Sequence, residues 1–213
     1  MRNVKYSLLV LVAVAVLAAP GLASGATVGG EVFGALNTYN MDDMNNAIDA
    51  ANALGSNFDE LSSGFTGGLG VRIWTSPNWM LSATWEPLFL ETESSVTGET
   101  WNLDANSLQF GAAYFFPRAT PWKAGIGAGV GFYSISGEVT DPAATPTTSA
   151  VQGAGPGFHV MALSEWPASP SFSVTAGAGY RKADIEVDNS TSTANYSGFT
   201  ARLGLAFYLP VPK

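Results

Sequence analysis

Cysteine is absent from the 213 residues, so no disulfide can hold this fold together. Charge is scarce, at 12% of residues, and what there is runs the wrong way for nucleic acid: Lys and Arg number 9 against 17 Asp and Glu. Histidine occurs once, at position 159. Beyond the N-terminus no apolar run is long enough to cross a membrane as a helix. Glycine, by contrast, is abundant at 24 residues.

The N-terminus reads Met1-Arg2-Asn3-Val4-Lys5, then an unbroken apolar run from Leu8 to Ala19, Pro20, and the small residues Ala23-Ser24-Gly25-Ala26. A basic start, a short apolar core and a small-residue exit make residues 1–25 a secretory signal peptide, leaving 26–213 as one mature domain. An exported chain with no second spanning helix is either soluble or a barrel.

Trp122 to Tyr133 decides between them. Trp122, Ala124, Ile126, Ala128, Val130 and Phe132 alternate with Lys123, Gly125, Gly127, Gly129 and Gly131. This is period two, a strand whose large apolar face opposes almost nothing. The large face then points into lipid, and the glycine face into a narrow interior. Seven further segments alternate: Thr27 to Tyr39, Ser63 to Trp74, Trp79 to Thr92, Trp101 to Phe116, Val151 to Trp166, Ser171 to Val187 and Tyr196 to Leu209. Pro87 predicts a bulge or frayed end, and a phase shift near Ala105 a second bulge. The pattern predicts an all-β fold: an eight-stranded antiparallel transmembrane barrel.

Three connections are short and Pro-marked, at Pro77, Pro117 to Pro121, and Pro167 to Pro170. The aromatics beside them, Trp74, Trp79, Phe116, Trp122, Trp166 and Phe172, predict one interfacial girdle. The other connections are longer and polar and hold most of the acids, as expected of loops facing outside while the short turns face the periplasm. In the first of these loops, Met41, Met44, Ala47, Ile48, Ala51 and Leu54 repeat at helical spacing, with Asn40 as the expected cap. This short helix is either a lid on the rim or a contact site for lipid or a partner. Thr140 to Ala150, rich in Thr, Ala and Pro, is expected to be a flexible loop.

These features resemble the small eight-stranded outer-membrane barrels of Gram-negative bacteria: the OmpA transmembrane domain, OmpX and the OmpW-like proteins. Arg202-Leu203-Gly204-Leu205-Ala206-Phe207-Tyr208-Leu209 looks like their C-terminal targeting strand, with Arg202, Gly204, Phe207 and Leu209 at the marked positions, although Pro210-Val211-Pro212-Lys213 follows. The resemblance implies insertion by the barrel-assembly machinery, a setting of outer-membrane lipid and lipopolysaccharide, and no cofactor.

Inward parity collects Glu31, Arg72, Glu86, Lys123, Glu165, Arg181 and Arg202, which are expected to form a ladder of ion pairs on neighbouring strands. His159 shares their face. If the turn pairs Trp166 with Phe172, His159 lies opposite Gly179 and diagonal to Arg181, and about 20 Å from Glu165 along the strand. Ser164 and the loop serines are the nucleophiles to consider, but no spacing places one beside His159, so no catalytic residue is expected. Asp42 and Asp43 lack EF-hand spacing, and no metal site is expected. A filled barrel with a structural or surface-interaction role is the leading reading. A narrow pore or carrier for small hydrophobic molecules, or a lipid-modifying enzyme, is the alternative.

Overall fold

The computed structural model describes residues 26–141, 147–188 and 193–209. The expected signal peptide and the tail from Pro210 lie outside these residues.

Eight long strands form the wall: β1 (Thr27–Thr38), β2 (Ser63–Trp74), β3 (Trp79–Leu88), β6 (Ala105–Phe115), β7 (Lys123–Asp141), β8 (Thr147–Ser169), β9 (Phe172–Val187) and β11 (Gly198–Tyr208). Three short strands, β4 (Glu91–Glu93), β5 (Thr100–Asn102) and β10 (Thr193–Asn195), and the helix α1 (Asp42–Ala53) belong to the long connections. Each wall strand pairs antiparallel with two others. The path Thr27, Trp74, Met80, Ala113, Gly127, Met161, Gly179, Thr200 returns to β1 at Asn37, ten residues from its start. An offset of that size tilts the strands by roughly 40° and gives a barrel-like fold.

Period two holds along the middle of the wall strands. Val32, Leu36, Phe65, Leu69, Ile126, Val130, Leu203 and Leu205 are exposed on the outside, while Glu31, Arg72, Glu86, Glu165 and Arg181 are buried within. Glycines on the inner face make room for rings. A β-carbon on Gly129 would stand 2.6 Å from the His159 ring, and one on Gly131 2.8 Å from the Tyr133 ring. Gly129→Val is therefore expected to lower stability by about 1–3 kcal/mol, while Ala128→Val on the outer face stays within about 0.5 kcal/mol. Urea unfolding from lipid vesicles would measure both.

Several expected boundaries move. β3 stops one residue past Pro87 without a register shift, since proline has no N–H for the ladder. The phase change near Ala105 is a break in the strand, because β5 leaves to pair with β4 and only β6 continues beside β3. β7 and β8 run on beyond the expected segments and pair as far as Asp141 with Thr147, so residues 140–141 and 147–150 of the expected loop are strand, while residues 142–146 lie outside the described residues. At the next turn β8 continues to Ser169, with a register shift between Pro167 and Ser169. His159 consequently faces Arg181 across the ladder, and not Gly179.

Candidate functional site

The interior carries buried charge at two levels. Near the short turns, Arg72 Nη2 donates to Glu165 Oε2 at 2.9 Å, and Arg72 Nη1 stands 3.6 Å from Glu31 Oε1. Tyr208 Oη donates to Glu165 at 2.9 Å, Trp74 Nε1 to Tyr208 at 3.1 Å, and Thr175 Oγ1 to Glu31 at 2.6 Å. Phe115 and Met80 pack on Trp74 beneath this group, and Lys123 Nζ rests 3.6 Å over the Trp74 ring.

Nearer the long loops, Glu86 is the hub of a second level. Its Oε1 accepts from Asn37 at 2.9 Å and Thr66 at 2.8 Å, and its Oε2 from Gln109 at 3.3 Å and Arg181 at 3.4 Å. Four donors to one carboxylate offset much of its desolvation.

Most of these pairs run across the lumen, which the sequence did not lead one to expect. Arg72 and Glu31 are on adjacent strands, but β2 and β8, which carry Arg72 and Glu165, stand on opposite walls, as do β9 and β3, which carry Arg181 and Glu86. Lys123 and Arg202 do not join the ladder. Among the described residues neither has a carboxylate within 4.0 Å; each lies over an aromatic ring, Lys123 on Trp74 and Arg202 on Phe33 at 5.3 Å.

Trp74 leaves the expected girdle. It shares parity with Arg72, so it points inward and is buried. Trp79, Phe116, Trp122, Trp166 and Phe172 remain at the turn end, joined by Tyr114 and Phe207; Trp122 stacks on Trp166 at 6.4 Å and Phe172 packs on Phe207 at 5.2 Å. Phe65, Phe132, Phe158, Tyr180 and Phe199, each outward by parity, form a second aromatic set that the sequence reading did not group into a belt. Phe158 precedes Trp166, Phe172 precedes Tyr180, and Phe199 precedes Phe207, each by eight residues. That is about 26 Å of strand, or roughly 20 Å along the axis at this tilt. Two aromatic belts with an apolar band between them match a bilayer's hydrocarbon core.

The loop end is closed by α1. Met41, Met44 and Ile48 are buried in one cluster with Leu88, Ala105, Tyr133, Ile135, Ala183 and Ile185 of the inner wall. Asn45 and Asn52, seven residues apart on the helix, act as clamps. Each side chain donates to and accepts from one backbone residue of the returning loop, Leu61 and Phe58. Asn40 does not cap: Met41 occupies that position without a side-chain bond, and the Asn40 N–H goes to Ser197 O at 2.9 Å. Beneath the lid, burial pushes the Tyr39 hydroxyl up to about 12, so it stays protonated at neutral pH. Ile48→Asp is expected to undock the helix without unfolding the wall. Limited proteolysis should then cut near Leu54 to Asn57 at least tenfold faster, while the urea midpoint changes little.

His159 and Ser164 lie on opposite faces of β8. The imidazole points inward, whereas the Ser164 hydroxyl accepts from Trp122 Nε1 at 2.5 Å and donates to Lys123 O at 3.2 Å. The wall itself separates base from hydroxyl, so the two form no catalytic pair. Among the described residues no three His, Cys, Asp or Glu side chains gather to hold a metal ion. Of the targeting-strand positions, Arg202 and Gly204 face inward, and Phe207 and Leu209 are exposed outward.

An apolar exterior between aromatic belts and a charged, filled interior define a small transmembrane barrel-like protein of the bacterial outer membrane. The chain belongs to the outer membrane protein beta-barrel domain family, whose model matches residues 8–207. Its fold is similar to that of a major outer membrane protein from Thermus thermophilus, at 14% identity and a TM-score of 0.59 over 87% of this chain and 100% of that one. Neisserial surface protein A is similar at 16% identity and a TM-score of 0.55 over 86% and 97%. Ail, the attachment invasion locus protein of Yersinia pestis, solved with the heparin analogue sucrose octasulfate, is similar at 11% identity and a TM-score of 0.53 over 86% and 99%. At these identities the likeness speaks for the fold alone. No curated protein matches the chain.

Proposed function

We propose that this protein is a closed eight-stranded antiparallel transmembrane barrel of the OmpA, OmpX and OmpW-like kind, sealed across its lumen, with a structural or surface-interaction role: envelope integrity, adhesion or lipid contact. Residues 1–25 are removed as a signal peptide, and the domain from 26 onward is inserted by the barrel-assembly machinery through its last strand. The short turns face the periplasm, and α1 lies in the first external loop, among lipopolysaccharide headgroups. The pairing of every wall strand with two neighbours supports closure, and the ten-residue offset suits a barrel of this size.

One observation carries the sealed reading: two levels of buried cross-lumen ion pairs lie beneath an apolar lid. A water-filled pore needs a continuous polar path, which this stacking interrupts. Purified protein in planar bilayers is expected to give no reproducible single-channel openings. Steady openings altered by Arg72 or Glu86 substitutions would favour the narrow-pore reading instead.

The external end constrains the partner. Asp42, Asp43, Asp49, Asp59, Glu60, Glu91, Glu93 and Glu99 lie there, while the neighbouring Lys182 is held by Asp184 at 2.6 Å. A polysulfated ligand such as the sucrose octasulfate bound to Ail would be repelled by this surface. Neutral or cationic partners, and lipid phosphates bridged by divalent ions, fit it better.

A further inference from the structure

Lumen charge balances level by level except at Arg202. Near the turns Arg72 pairs with Glu31 and Glu165, with Lys123 opposite Glu165 in the ladder, and nearer the loops Arg181 pairs with Glu86. Arg202 sits between the two levels, opposite Gly177 of β9 and Ala35 of β1, and no carboxylate of the described residues comes within 4.0 Å of it. Both nearby carboxylates are engaged: Glu31 with Arg72 and Thr175, and Glu86 with its four donors. A guanidinium does not shed its proton inside a protein. Arg202 is half-buried, unlike Arg72 and Arg181, and contact with the face of Phe33 compensates only part of the desolvation of its charge inside the barrel.

A second observation points to the same level. His159 projects inward from β8, beside Arg181 of β9 in the ladder, and Arg202 follows on β11, so three adjacent strands present nitrogen groups to one side of the lumen. The His159 Nδ1 atom is buried with no hydrogen-bond partner among the described residues. On the other side of its ring, Nε2 and the Ser82 hydroxyl both converge on Gly111, each 3.3 Å from where a β-carbon there would stand. The space is small: Met161 Cε, Leu163 Cδ2 and Arg202 Nε crowd within 3.0 to 3.2 Å of the equivalent point on Gly177.

We propose that this middle level binds one monatomic anion of halide size, held by the Arg202 guanidinium with an N–H of His159 donating beside it. The anion neutralises the cation left over when the charges of the two levels are balanced. With ion pairs below and Glu86, Arg181 and the lid above, it is enclosed during folding and exchanges slowly afterwards. The site is independent of what the exterior surface contacts.

The test is to refold the full mature chain from urea into detergent with sodium bromide as the only added salt and to crystallise it. The expected result is an anomalous bromide peak in contact with the Arg202 guanidinium. A parallel series at constant ionic strength replaces bromide by gluconate, and the wild-type unfolding midpoint is expected to rise with bromide. In Arg202→Gln the bromide concentration giving half that effect is expected to increase at least tenfold, or the effect to vanish. Bromide peaks confined to exposed sites such as Arg118 and Lys182, or equal midpoints in bromide and gluconate, would overturn the proposal. If Arg202→Gln does not fold, the wild-type peak and midpoints still decide.

Discussion

Glu86→Ala is expected to remove about 3–5 kcal/mol of folding stability, the loss typical of breaking a buried ion pair at one end. The substitution strands Arg181, which is 2% exposed and has no second carboxylate within 4.0 Å among the described residues, and it frees the Asn37 and Thr66 donors as well. Glu86→Gln separates charge from geometry. It keeps an acceptor for Asn37 and Thr66 but leaves the guanidinium without its counter-charge, so a smaller loss of about 1–3 kcal/mol is expected. Urea-dependent unfolding from lipid vesicles, followed by tryptophan fluorescence, measures both. Equal midpoints for wild type and Glu86→Ala would mean that the lumen is hydrated enough to solvate Arg181, and the sealed reading would fail with them.

Arg72→Ala is expected to be at least as damaging, because one guanidinium serves two carboxylates. Its loss leaves Glu31 and Glu165, 5% and 2% exposed, facing each other without a cation between them. Lys123, ladder partner of Glu165, is the nearest replacement, but it is engaged over Trp74. A loss of about 3–5 kcal/mol is expected at neutral pH. The decisive control is the triple variant Arg72→Met, Glu31→Gln, Glu165→Gln, which removes all three charges together. Burying a charge is what makes the single variant costly, so the triple is expected to regain more than half of the lost stability. If the triple variant is no better than Arg72→Ala, the damage comes from lost packing of the long side chain, and the electrostatic account is wrong.

Much of the wall was legible in the sequence, and the reason is the strand's own geometry. Alternation along Trp122 to Tyr133 separates lipid-facing from lumen-facing positions with no knowledge of any neighbour, and the structure keeps that parity throughout β7. Trp74 shows where a looser rule failed. Its place beside a short turn suggested the girdle, whereas its parity with Arg72 sends it inward, and parity decides because successive side chains must leave a strand on opposite faces. Asn40 failed for a different reason. A capping side chain competes with other uses of the same residue, and here the Asn40 backbone is drawn to Ser197, just before the closing strand, while Met41 takes the cap position with its side chain buried in the lid cluster.

What the sequence settled by itself was the class of the protein and the face most wall residues take: an exported, cysteine-free chain of alternating segments, glycines on the inner face and large apolar residues on the outer, with short turns at one end and acidic loops at the other. Period two is a local property, so local sequence suffices to read it. Only the tertiary structure decided which inward charges meet. Partners such as Arg72 and Glu165, or Arg181 and Glu86, sit on opposite walls, and their heights depend on the ten-residue offset accumulated round the barrel and on a shift at Pro167 to Ser169. No single strand encodes that sum. The same sum leaves Arg202 between two satisfied levels.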